Sequence, residues 1–215
     1  MAAYIIIYFM VSLLWLFIFH KGSGLKINYI AQAFSAGIGA AMVAAFLSYY
    51  LKSEFITTNV KDFVIADFFL YFFIVGPIEE ASKFLALFLI VLRKTDLKRA
   101  SSVLTLGMAV ALGFAGLENI LYLVLYGVQA TLPRLILGNL GHAAFGIFWS
   151  YALGVVLCEK APQRLLVVGL FLSAIAHGAY DYFLGFSLEI SIISFLLAAL
   201  LIIFMVKMIK VESNR

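Results

Sequence analysis

Seven apolar stretches, each bounded by charged residues, constrain this chain more than any other feature. They run over about 3–19, 29–51, 63–92, 101–127, 132–158, 164–185 and 188–208. About 20 consecutive apolar residues in a helix cross the hydrocarbon core of a bilayer. Backbone inside that core must be hydrogen-bonded within itself, and the sequence shows no alternating strand pattern. The expected fold class is therefore all-α. It is a polytopic membrane helix bundle of about seven transmembrane helices, forming a single membrane-embedded domain over 1–215.

Composition agrees. Apolar residues make up 65% of the chain and charged residues 12%, against about 45–50% and 25% in a soluble domain. This excludes a disordered chain, a nucleic-acid binder and an ordinary cytosolic enzyme. The single cysteine, Cys158, excludes an internal disulfide.

The net charge of +4 reads as loop charge that orients the chain. With the N-terminus outside, the inner segments carry Lys21, Lys26, Arg93, Lys94, Lys98, Arg99, Lys160, Arg164, Lys207, Lys210 and Arg215. The outer segments carry Lys52, Lys61 and Arg134. The expected topology is N-out, C-in. The first helix has no basic leader and no small-residue cleavage site before His20-Lys21, so it is read as retained. The third stretch is longer than a span requires and holds Gly76-Pro77 in its middle. Proline removes a backbone donor, so a kink or a fresh helical start is expected there.

Ionisable groups at membrane depth are costly and usually mark function. Here they are Glu79, Glu80 and Lys83, then Glu118 beside Asn119, then His142, then His177 and Asp181. At about 1.5 Å per residue, Glu79, Glu118, His142 and His177 all fall roughly 20–25 Å from the inner helix ends. Four helices thus place polar groups near one plane. Glu79 and Lys83 are spaced to share a helix face, as are His177 and Asp181. Glu80 points about 100° from Glu79, which predicts a division of labour between the carboxylates. Asn139 reads equally as a supporting group or an interhelical hydrogen bond. Trp15 and Trp149 read as lipid-facing or packing residues.

This set suits hydrolysis of an amide. A buried carboxylate can take a proton from water. Two imidazoles and a carboxylate can hold Zn²⁺ with one position open, or the imidazoles can serve an oxyanion without metal. The candidate catalytic residues are Glu79, Glu80, His142 and His177, supported by Lys83, Glu118, Asn119 and Asp181. The candidate metal ligands are His142 and His177, with Glu80 and Asp181 as further candidates. A transporter or proton channel could use the same groups as a relay, but no charged residues are seen to continue from the cluster to either surface. HExxH and a plausible GxSxG are absent.

The motifs Pro77-Ile78-Glu79-Glu80-Ala81-Ser82-Lys83-Phe84, Gly113-Phe114-Ala115-Gly116-Leu117-Glu118-Asn119, Gly141-His142-Ala143-Ala144-Phe145-Gly146 and Ala176-His177-Gly178-Ala179-Tyr180-Asp181 resemble, in order and spacing, the PrsW family of intramembrane proteases. The resemblance covers about 76–185. It implies a multi-pass protease of a prokaryotic plasma membrane, acting on a membrane protein or a lipid-anchored peptide within the lipid bilayer. The best-known members of that family make the first cut in a membrane-anchored anti-sigma factor. It also implies that Glu79 and Glu80 are the essential glutamates and His142 and His177 the essential imidazoles. The more distant CAAX-prenyl endopeptidases and bacteriocin-processing proteins carry a histidine where this chain has Glu118, so a prenyl-protein or bacteriocin-processing endopeptidase is the alternative. Nothing in the sequence sets an oligomeric state.

Overall fold

The computed structural model describes residues 1–21, 23–58, 63–94 and 96–184, with Leu196, Leu200 and Ile203; the side chains of 53–58, 63 and 130 are outside the description. The chain is all-helical there. Seven α-helices occur in this order: α1 (Ala2–His20), α2 (Ile27–Thr58), α3 (Phe63–Phe69), α4 (Gly76–Val91), α5 (Ala100–Thr131), α6 (Arg134–Glu159) and α7 (Arg164–Leu184), with a π-helical turn, Leu70–Val75, joining α3 to α4. Among the described residues, α1, α2, α5, α6 and α7 are long and apolar enough to cross a membrane. Apart from Leu196, Leu200 and Ile203, the expected seventh span lies outside the described residues, as do Lys207, Lys210 and Arg215 of the charge count and Lys61.

The expected break at Gly76-Pro77 takes a specific form. Gly76 donates its N–H to the carbonyl of Tyr71, an i→i+5 bond, and its φ and ψ of −54° and −52° keep the chain helical. Pro77 has no N–H to give, so the first turn of α4, where donors have no intrahelical partner anyway, is where it fits. Such π turns widen a helix locally and recur at functional sites.

α5 and α6 form the middle of the bundle. Val103, Leu106, Ala109, Val110, Trp149 and Leu153 are buried, packed with Ile30 and Ala33 of α2 and Leu87 of α4. α2 crosses α5 at backbone contact: a Cβ on Gly37 would strike the Val110 carbonyl, and one on Gly113 would strike that of Phe34. Small residues permit this approach in a medium that supplies no hydrophobic drive between helices. α1 is peripheral and buries only Tyr8 and Ser12. Its polar groups dock it, through Tyr8 to Thr131 at 2.7 Å and Ser12 to Asn139 at 2.7 Å. Asn139 is thus an interhelical hydrogen-bonding residue.

α5 is broken at Gly127, whose φ of 80° lies where glycine is favoured. The break turns the chain so that α6 returns along α5. The connections around 23–26, 96–99 and 160–163 gather at one end, where Lys26 meets Asp96 at 3.4 Å and Cys158 lies 3.8 Å from the Leu97 carbonyl.

Candidate active site

The site is built from α4, α5, α6 and α7. Its position follows from one close approach: a Cβ on Gly76 would lie 2.7 Å from the Ala174 carbonyl oxygen, and one on Gly178 2.7 Å from that of Tyr71. With neither side chain present, α7 lies directly on the π turn. This seats His177 beside Glu79 and Glu80, which follow that turn.

The two glutamates hold opposite edges of His177. Nδ1 lies 2.7 Å from Oε1 of Glu80, and Nε2 lies 3.7 Å from Oε2 of Glu79. A carboxylate only accepts, so Nδ1 donates and Nε2 faces Glu79. Nε2 is also 3.4 Å from Oδ2 of Asp181. The different headings of the carboxylates, expected from helix geometry, thus converge on one ring.

Glu80 is fully occupied. Its Oε1 also accepts from Lys83 at 2.7 Å, and its Oε2 accepts from the Trp149 indole at 2.8 Å and the Ser173 hydroxyl at 2.8 Å. Glu80 and Lys83 have no exposed surface. Glu79 differs: its Oε2 is buried without a hydrogen-bond partner, 3.6 Å from the Lys83 ammonium. Lys83 sits 4.0 Å from the centre of the Phe114 ring, a favourable place for a desolvated cation.

Lys83 also reaches Nδ1 of His142 at 2.9 Å. An ammonium only donates, so Nδ1 accepts and Nε2 carries the proton. That proton goes to Oε2 of Glu118, 2.6 Å away, which Arg134 also holds at 2.8 Å. The two imidazoles meet edge to face at 5.1 Å.

The structure thus brings Glu79, Glu80, Lys83, Glu118, His142, His177 and Asp181 into one connected network. Asn119 is elsewhere: its amide is buried without a hydrogen-bond partner, against Gly138. Three members of the network are not evident from the sequence. Trp149, read there as lipid-facing or packing, is fully buried and binds Glu80. Ser173 looks like any small residue of a span. Arg134 counts in the sequence as an outer loop charge, yet pairs with Glu118. The charged groups do continue to one end of the bundle, against the sequence expectation. Asp67, Tyr71, Tyr122, Arg134, Asp181 and Tyr182 line a cavity of about 470 Å³ at the end opposite the basic connections. Arg134 and Asp181 border both this cavity and the network.

Glu79, His142 and His177 offer ligand atoms within 4.8 Å of one another, a set that could hold a metal ion. The residues fit such an ion on two counts. The Oε2 of Glu79 is buried without a hydrogen-bond partner, and one carboxylate with two imidazoles is a donor set that Zn²⁺ takes. Both oxygens of Glu80, a further candidate ligand by sequence, accept hydrogen bonds; Glu79 is the carboxylate within the set.

A buried carboxylate, two oriented imidazoles and a polar cavity, all set among apolar helices, suit an intramembrane peptidase. Residues 26–209 match the PrsW family of intramembrane metalloproteases, and the chain belongs to that family. Protease PrsW of Shouchella clausii is 34% identical over 69% of this chain and 67% of its own length. Protease PrsW of Bacillus subtilis is 30% identical over 74% of this chain and 70% of its own. That of Halalkalibacterium halodurans is 34% identical over 51% of this chain and 52% of its own. No solved structure matches the chain. The protein is a multi-pass membrane endopeptidase of the PrsW type.

Proposed function

We propose that this endopeptidase cuts a membrane-anchored protein near the outer face of the plasma membrane, with Glu79 as the base that activates water. The observation that carries this reading is the unpartnered Oε2 of Glu79, buried between Lys83 and His177. Water entering through the 470 Å³ cavity gives a proton to Glu79 as its oxygen bonds to the substrate carbonyl carbon. The Lys83 ammonium faces the charge that develops on the carbonyl oxygen. Glu79 then returns the proton to the leaving amine nitrogen as the C–N bond breaks. Glu80 stays ionised throughout and holds His177 by Nδ1, while Glu118 holds His142 by Nε2–H.

Glu79, His142 and His177 would hold Zn²⁺, His142 giving up its contact with Lys83 to do so, with Asp181 beside His177. When bound, the ion supplies Lewis acidity for water and carbonyl oxygen. The remaining proposals are topological. Residues 1–215 form one domain of seven spans, with 63–91 crossing as a helix widened by the π turn. The N-terminus lies outside, as the basic connections gathered at one end support. A membrane-anchored anti-sigma factor is one substrate of the proposed class, by resemblance to family members.

The test joins cleavage to metal content. E79Q, purified in detergent, is expected to lose cleavage of a single-span reporter at least about 100-fold while keeping the wild-type melting temperature. Wild-type activity in E79Q would refute its role as base. Near-stoichiometric zinc in the wild type, lost with activity on chelation, would support the metal; full activity at negligible zinc would refute it.

A further inference from the structure

Arg134 breaks two local rules. It is the first residue of α6, where a cation opposes the helix dipole. Its side chain is also only 19% exposed, although a guanidinium is costly to desolvate. Nothing in helix propensity places it there. What accounts for it is Glu118, which it meets at 2.8 Å, and the Tyr122 ring, 3.8 Å beneath the guanidinium carbon. Glu118 uses the same oxygen, Oε2, to accept from Nε2 of His142. Without Arg134, that carboxylate would be a half-buried anion with one neutral partner, free to turn into the adjoining cavity.

We propose that Arg134 is a positioning residue for the proteolytic reaction: it fixes Glu118 so that Glu118 holds the ring of His142 in one tautomer and one orientation. This rests on the proposed role of His142. The Tyr122 ring restricts the guanidinium from below, and the break at Gly127 brings the start of α6 over Glu118. Nε of Arg134 is buried without a hydrogen-bond partner, so the contact with Glu118 is made through Nη2 alone. Groups that orient a catalytic imidazole from outside typically change activity about 10–100-fold when removed.

The experiment uses the full chain, labelled with ¹⁵N-histidine and reconstituted in bilayers, with a single-span reporter protein selected for cleavage by the wild type. Three histidines are few enough to assign by substitution. R134A is expected to lower kcat about 10–100-fold with little change in KM, and to replace the single Nε2–H signal of His142 by a mixture. R134K is expected to keep most of the wild-type signal and rate. Guanidinium chloride at millimolar concentration is expected to restore both in R134A, because the cavity gives it access, and to restore neither in R134A/E118A. An unchanged signal and rate in R134A would overturn the proposal. So would a raised KM at constant kcat, which would place Arg134 on the substrate. Equal loss in R134A and R134K with no rescue and a lowered melting temperature would assign Arg134 to folding alone and also overturn it. Wild-type cleavage by H142A would instead defeat the underlying reading of His142, whatever the Arg134 variants do.

Discussion

Glu79 and Glu80 are adjacent in sequence and chemically identical, yet their surroundings assign them different tasks. Four donors converge on Glu80, from α4, α6 and α7; the buried oxygen of Glu79 meets none. Trp149→Phe keeps an aromatic ring, removes one donor from Glu80 and leaves a small void where the rest of the indole stood. The expected result is a loss of about 1–3 kcal/mol of stability, because a buried charged acceptor loses a bond, and a fall in kcat of about 10–100-fold from a loosened His177. Thermal unfolding and reporter cleavage check the two separately; an unchanged kcat would detach Trp149 from the site. The tryptophan is illegible in the sequence because its indole N–H is one polar atom on a large apolar body, surrounded by phenylalanines. Charged residues were legible for the opposite reason: in an apolar span each of them demands a partner.

Among the elements, hydropathy located what it could. The stretches at about 3–19, 101–127 and 164–185 correspond to α1 (Ala2–His20), α5 (Ala100–Thr131) and α7 (Arg164–Leu184). Thr131 extends α5 past the break at Gly127 by bonding the Gly127 carbonyl at 2.8 Å, a polar contact that hydropathy does not register. Proline marked the discontinuity before α4, but not that it becomes a π turn, since this depends on α7 packing against the Tyr71 carbonyl. That contact is testable. Gly178→Ala would place a Cβ 2.7 Å from the Tyr71 oxygen and 3.0 Å from Cα of Phe72, both backbone atoms that cannot step aside. Gly39→Ala, with nothing within 4 Å, is the control. Gly178→Ala is expected to lower both melting temperature and cleavage, and Gly39→Ala to leave both near wild type. Equal behaviour of the two would show that the approach of α7 to the π turn does not set the site.

Across the whole molecule, polar and apolar surfaces are sorted as a bilayer requires. Large apolar side chains such as Phe46, Phe73, Leu125, Val167 and Phe171 are exposed around the bundle, where lipid would cover them. The basic connections and the polar cavity occupy opposite ends. The N-out topology therefore predicts that, in intact cells and a C158S background, a membrane-impermeant maleimide labels L132C directly but labels K94C only after lysis. The reverse pattern would invert the topology.

In the proposed N-out topology the mouth lined by Asp67, Arg134 and Asp181 turns outward, and the enzyme is then open to chemistry that never enters the cell. A large, charged chelator or a peptide too polar to diffuse through lipid should suffice to silence it from the medium.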